Sequence, residues 1–134
     1  MERADVVEVD QPIVVQYVNR MLAEAVFNRH ASTLCLHVIE GQPDSPVEVY
    51  RHRRVEILFC IDSVWGEFDS IRWNFYSPIV NRLRIMAGLD YWKIDKQQTG
   101  ELRLSRDDQS FLCTLSIQKP GQYEEVTIDI APVG

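Results

Sequence analysis

The spacing of apolar positions changes along the chain, and each change marks the border of a predicted element. After Asp10 and Pro12, apolar residues recur every three or four residues, which predicts an amphipathic helix over about 11–29. Asp10 suits the N-cap, and Pro12 costs little in a first helical turn. From Thr33 to Ile39 the period falls to two, which predicts a strand.

Two further strands are predicted over 47–50 and 55–61, joined by the basic run Arg51-His52-Arg53-Arg54, which we interpret as a solvated hairpin turn. The 55–61 run is apolar on both faces because Leu58 and Cys60 alternate with apolar neighbours. It therefore predicts a central strand that is covered on both sides. A brief return strand is predicted over about 64–68.

A second helix is predicted over about 78–87, ending at Gly88, which we expect to be a left-handed C′ residue. Arg82 and Arg84 lie in its last turns, where the helix macrodipole favours cations. Three alternating runs complete the pattern, and they cover 102–105, 111–117 and 126–131.

This order of elements predicts an α+β fold: an antiparallel sheet of about six strands with two main helices. We expect a single domain over 11–131, between a flexible N-terminus (1–10) and a C-terminal tail (132–134).

The charge balance argues against several classes of partner. The net charge is −6 and the basic residues are scattered, so nucleic-acid binding is not expected. No apolar run approaches the ~20 residues of a membrane span, and we expect a cytoplasmic protein. Cys35, Cys60 and Cys113 are widely separated in apolar runs, which indicates buried thiols rather than disulfides.

The motifs of common enzyme classes are absent from the sequence. There is no glycine-rich phosphate loop, no G-x-S-x-G and no H-E-x-x-H, so we predict no catalytic site and no cofactor. Histidine and cysteine spacing does not favour a metal site, although Cys35 and His37 share one side of a strand. Five aromatic residues flank the second helix and are either core residues or an exposed partner platform: Trp65, Trp73, Tyr76, Tyr91 and Trp92.

The block "RLRIMAGLD" at 82–90 resembles a sequence in the N-terminal domain that precedes the ATPase lobe of type II secretion and type IV pilus assembly ATPases, with Arg84 in place of Lys. The resemblance runs from about Pro12 to Ile130. Two weaker matches are "ASTLCLH" (31–37) for the family's A-S-D-I-H-I-E strand and "LFCIDS" (58–63) for its R-x-R-I-D-G strand.

The resemblance implies a PAS-like domain that lies over the nucleotide of a hexameric motor and transmits force to a membrane platform. Family arginines that help neutralise the phosphates are replaced here, and the replaced positions are Leu58, Cys60, Glu101, Thr114 and Asp129. Acids at such positions would repel a triphosphate. We therefore expect a family-like framework without the nucleotide-facing chemistry.

Three functions remain open at this point. The first is a protein-interaction module that binds a motor ATPase or platform component, or forms a homo-oligomer, through Arg82, Arg84, Tyr91 and Trp92. The second is a PAS-like sensor whose small-ligand pocket is lined by Thr33, Cys35 and His37 opposite Cys113. The third is one half of a split ATPase, with Arg82 or Arg103 facing nucleotide bound to a partner.

Overall fold

The structure, a computed structural model, describes residues 12–40, 53–90 and 97–133. Each half of the chain contributes one helix followed by three strands. The first half contains α1 (Pro12–Ala23, continued by a π-helical turn over Glu24–Asn28), β1 (Thr33–Glu40), β2 (Arg53–Ile61) and β3 (Val64–Arg72). The second half follows a short 3₁₀ turn and contains α2 (Tyr76–Met86), β4 (Gln98–Arg106), β5 (Gln109–Gln118) and β6 (Glu125–Pro132).

The six strands form one open antiparallel sheet in the order β3-β2-β1-β6-β5-β4. Within each half, consecutive strands pair as hairpins with long registers, such as Thr33 opposite Cys60 and Glu40 opposite Arg53. The two halves join where β1 pairs with β6, from Thr33 opposite Asp129 to Leu36 opposite Val126. The predicted α+β fold with an antiparallel sheet of six strands and two helices is confirmed.

The hydrophobic core lies between the two helices and one face of the sheet. The buried residues of five strands, all except β3, lie on this face and form one cluster with the apolar stripes of α1 and α2. The strand residues of the cluster are Leu34, Leu36, Val55, Ile57, Phe59, Leu102, Cys113, Leu115, Ile117, Val126 and Ile128. We call this side of the sheet the helix face and the other side the open face.

The prediction that β2 is covered on both sides is wrong for the residues described. Leu58 and Cys60 point to the open face and are half-buried by their neighbours in the sheet, whereas both helices pack on the helix face. Cys113 is a core residue as expected, but Cys35 and Cys60 are half-buried thiols of the open face.

The solvated turn predicted for the basic run is also wrong where the structure describes it, because Arg53 and Arg54 belong to β2 and Arg53 is 9% exposed. The return strand β3 spans nine residues, longer than the run from which it was predicted. Three other predictions lie outside the described residues: the flexible N-terminus (1–10), the strand over 47–50, and the turn residues Arg51 and His52.

Helix α2 ends in a Schellman motif, which explains the glycine in the "RLRIMAGLD" block. Gly88 adopts φ +72°, as expected for a left-handed C′ residue. The Leu89 amide donates to the Arg84 carbonyl at 2.8 Å, and the Gly88 amide donates to the Ile85 carbonyl at 3.1 Å. The chain then turns back to the sheet, and Leu89 packs against the core.

Candidate protein-interaction face

The open face brings together positions that are far apart in the sequence. The strand registers place Glu101, Thr114, Asp129, Thr33 and Cys60 in one row across β4, β5, β6, β1 and β2. We call this set the cross-sheet row. Adjacent strands are about 4.8 Å apart, so the row extends about 20 Å across the sheet.

The cross-sheet row contains most of the positions at which the resemblance implies an arginine. Glu101, Thr114, Asp129 and Cys60 belong to it, and Leu58 lies on the same face one pair further along β2. Nothing in the periodicity of the separate strands fixes this alignment, since it depends on the strand order and registers. The positions at which the resemblance implies arginines therefore form one continuous surface.

This surface carries more negative than positive charge. Its carboxylates are Glu56, Glu67, Glu101, Glu125 and Asp129, and its arginines are Arg54, Arg72 and Arg103. Glu101 and Asp129 are exposed, and the Thr33 hydroxyl donates a hydrogen bond to Asp129 Oδ1 at 3.4 Å. His37 Nε2 lies 3.0 Å from Glu56 Oε1. The phosphates of a bound nucleotide would be repelled by the carboxylates at the exposed positions of the cross-sheet row.

An exposed aromatic side chain lies at one end of the cross-sheet row. Trp65 of β3 is opposite Cys60 and is 51% exposed. Of the other flanking aromatic residues, Tyr76 is buried and Trp73 is half-buried, so both are packing residues. Trp65 thus fits the interface interpretation, and its neighbourhood combines one large ring with acidic positions. Tyr91 and Trp92 lie outside the described residues.

No protein-family model and no curated protein matches the chain.

The arginines expected to face a nucleotide are not brought together. Arg82 lies on α2, on the helix face, whereas Arg103 alternates with buried Leu102 and points to the open face. Arg84, expected to contact a partner, is 1% exposed and its guanidinium lies inside the protein. The surface role expected for Arg84 is therefore wrong in this structure.

Arg84 instead holds the end of α2 to the sheet and to the β5–β6 connection. Its Nε donates to Gln98 Oε1 at 2.7 Å and its Nη1 donates to Asn81 Oδ1 at 3.0 Å, while its Nη2 forms an ion pair with Glu124. The Tyr76 hydroxyl donates to the Glu124 carbonyl oxygen at 2.6 Å. Burial, followed by the nearby Glu124 charge, raises the pKa of Tyr76, so this hydroxyl remains a donor.

A second polar cluster surrounds Arg53 at the same end of the sheet. Its guanidinium carbon lies 5.2 Å from the Trp73 ring centroid and 4.9 Å from that of Tyr123, and its Nε bonds Glu40 Oε2 at 3.0 Å. The Tyr123 hydroxyl also donates to Glu40. These bonds, with that from Tyr123 the strongest contribution, lower the pKa of Glu40 from its usual value of 4.5.

This pKa shift predicts a pH-dependent contribution to stability. A carboxylate whose folded-state pKa lies below its unfolded-state pKa stabilises the fold above pH 4.5, and the contribution is lost as the pH falls through the folded-state value. Glu40→Gln should therefore lower the melting temperature at pH 7, and the difference from wild type should shrink in more acidic buffers. Thermal melts at stepwise lower pH test this, with Asp108→Asn in the β4–β5 turn as a comparison; a difference independent of pH would contradict it.

The ligand pocket expected around Cys113 is not formed. Cys113 faces the core, where burial raises the pKa of its thiol to about 11, whereas Thr33, Cys35 and His37 belong to the open face. An apolar groove lies elsewhere, with a volume of about 320 Å³, between α1, β3 and the start of α2. Its apolar lining includes Ile13, Ile71 and Phe75, with Arg54 and Arg72 also in its wall.

Two further expectations concern absences. Within residues 12–40, 53–90 and 97–133, no group of three histidine, cysteine or acidic side chains is placed to hold a metal ion. None of the helices in these ranges is both long enough and apolar enough to cross a membrane.

Proposed function

We propose that this protein is a non-catalytic, cytoplasmic interaction module related to the PAS-like N-terminal domain of type II secretion and type IV pilus ATPases, and that its open face binds a protein partner. The partner is a motor ATPase subunit or a platform component of such a machine. One observation carries the proposal: the five positions at which the resemblance implies arginines all lie on the open face.

The chemistry of the open face supports a protein partner over a nucleotide. Glu101 and Asp129 are two strands apart, so their carboxylates lie about 10 Å from each other and both repel phosphate groups. A basic protein surface is attracted by the same charges. Trp65 adds a partly exposed aromatic ring, the residue type that most often anchors a protein interface.

The core supports a role that depends on a rigid framework. The buried cluster joins both helices to five of the six strands, and the buried Arg84 and Arg53 fix the ends of α2, β1 and β2. A surface built on a rigid sheet binds with a smaller loss of conformational entropy than a surface built on loops. The open face therefore suits a docking role.

Reversing one charge in the cross-sheet row tests the proposal. Asp129→Arg should weaken binding to a purified type II secretion or type IV pilus motor ATPase by about tenfold or more, because it places a cation against a basic partner. Asp108→Arg makes the same charge change in the exposed β4–β5 turn and should leave affinity within about twofold. Isothermal titration calorimetry measures both affinities.

Two results would contradict the proposed function. Equal affinity of the Asp129→Arg and Asp108→Arg variants would show that the cross-sheet row is not the contact. Saturable binding of ATP to the isolated wild-type chain would show that the protein retains a nucleotide site and is not only an interaction module.

A further inference from the structure

The two edges of the sheet are built differently. Strand β3 carries a register shift opposite Ile57 and Leu58, a glycine at Gly66, and the carboxylate of Asp69 turned to the helix face, where it accepts a hydrogen bond from Tyr17 at 2.6 Å. Bulges and inward-pointing charges are devices that prevent an edge strand from pairing with another chain. Strand β3 is thus a protected edge.

Strand β4 has no register shift, although it too contains a glycine, Gly100, and its last residue, Arg106, places its charge on the helix face. All nine of its residues pair with β5 in one continuous register, from Gln98 opposite Ile117 to Arg106 opposite Gln109. In the ranges that the structure describes, its other side pairs with no strand. It presents a regular row of main-chain donors and acceptors, which is the geometry that a further antiparallel strand requires.

The side chains of β4 are self-complementary about its centre. Leu102 is the middle residue of Gln98–Arg106, and on the open face it is flanked first by Glu101 and Arg103 and then by Thr99 and Ser105. If β4 pairs with a second copy about a twofold axis through Leu102, Glu101 lies opposite Arg103 of the other copy. Thr99 then lies opposite Ser105, and opposite charges and paired hydroxyls are both favourable cross-strand neighbours.

The neighbouring registers are less favourable. A twofold axis through residue 101 places Glu101 opposite Glu101, and an axis through residue 103 places Arg103 opposite Arg103; like charges directly opposite each other are destabilising. Both registers also leave residues at the strand ends unpaired. The register centred on Leu102 is the one that pairs all nine residues and places opposite charges together.

Glu101 and Arg103 are available for such a contact. Both side chains are exposed, and neither forms a hydrogen bond or ion pair with another described residue. Their neighbours across the strand in the same chain are the uncharged Thr114 and Leu112. The charges therefore form no cross-strand pair within one copy, whereas between two copies they would select the register.

We propose that the protein forms a twofold dimer in which β4 of each copy pairs antiparallel through Leu102, giving one continuous sheet of twelve strands. The main-chain hydrogen bonds of the two β4 edges supply the affinity, and the two Glu101–Arg103 pairs supply the register. The inference depends on the β4 edge and not on a motor partner, so it stands or falls independently of the function proposed above.

Charge exchange at two positions tests the dimer. Glu101→Arg and Arg103→Glu each create two like-charge pairs and should weaken self-association at least tenfold, whereas the double variant E101R/R103E restores opposite charges and should dimerise like wild type. Mixing the two single variants should give a heterodimer, because at positions 101 and 103 one variant has two cations and the other has two carboxylates. Sedimentation equilibrium measures association, and circular dichroism verifies that each variant is folded.

Three outcomes would overturn the dimer. A wild-type protein that stays monomeric up to about 100 µM, where weak specific interfaces already associate, would show that the edge does not pair. Equal self-association of wild type and both single variants would show that β4 is not the interface. Failure of the mixed variants to associate would exclude the register centred on Leu102.

Discussion

Replacing Arg84 with alanine should lower the free energy of unfolding by about 3–5 kcal/mol, the typical cost of removing one partner of a buried ion pair. The guanidinium is 1% exposed and bonds three side chains at once, those of Asn81, Gln98 and Glu124. Its loss leaves a cavity at the end of α2 and leaves the two amide oxygens and the carboxylate without their shared donor.

The conservative change Arg84→Lys separates charge from geometry. Lysine is the residue at this position in the secretion-ATPase sequence that the 82–90 block resembles. It can neutralise Glu124, but it cannot direct a planar set of donors to Asn81 and Gln98 as well. We expect a loss of about 1–2 kcal/mol for Arg84→Lys, between wild type and Arg84→Ala. Urea denaturation monitored by tryptophan fluorescence measures all three free energies.

The matched control for Arg84 is Arg20 on the exposed side of α1, whose guanidinium carbon lies 5.7 Å from the Tyr17 ring centroid. Arg20→Ala should change the free energy of unfolding by no more than about 0.5 kcal/mol. If Arg84→Ala is as mild as Arg20→Ala, the network at the end of α2 does not support the fold.

Replacing Gly100 with alanine should cost about 1–3 kcal/mol, because β4 passes close to the end of α2 at this residue. A Cβ atom at Gly100 would lie 3.0 Å from Leu89 Cγ, 3.1 Å from Ala87 Cβ and 3.1 Å from the Ala87 carbonyl oxygen. The carbonyl belongs to the end of α2, whose position is fixed by the Schellman motif, so the neighbours cannot all withdraw at low cost.

Gly66 provides the control for Gly100. It also lies in an edge strand, but a Cβ atom there would meet nothing within 4 Å. Gly66→Ala should therefore be neutral or slightly stabilising, by up to ~1 kcal/mol, since it reduces the freedom of the unfolded chain. Thermal and urea denaturation of both variants measure the difference, and equal effects would contradict the close packing at Gly100.

The sequence predicts those parts of the fold that depend on local periodicity. The apolar stripe of α1, the glycine at the end of α2 and the alternation in β1 are each properties of one segment, and the structure confirms them. The antiparallel α+β fold follows from their order. The strand order and register could not be predicted, because they depend on pairing between residues as distant as Thr33 and Asp129.

The burial of charged residues could not be read from the same pattern. Arg84 lies in the last turns of a helix, where an exposed cation is the ordinary interpretation, and Arg53 lies in a basic run typical of a turn. Both are buried because Glu124, Tyr123 and Glu40 reach them from other strands and connections. The sequence alone does not show which distant residues contact these two arginines.

The seam between β1 and β6 has a consequence for how the chain reaches this structure. Its register contains four residue pairs, from Thr33–Asp129 to Leu36–Val126, whereas the hairpin of β4 and β5 contains nine. Each half pairs its own strands across connections of at most 12 residues, whereas the seam joins positions 96 residues apart. We therefore expect the hairpins within each half to form first and the non-local pairing of β1 with β6, which joins the two half-sheets along one short strand pair, to limit the folding rate.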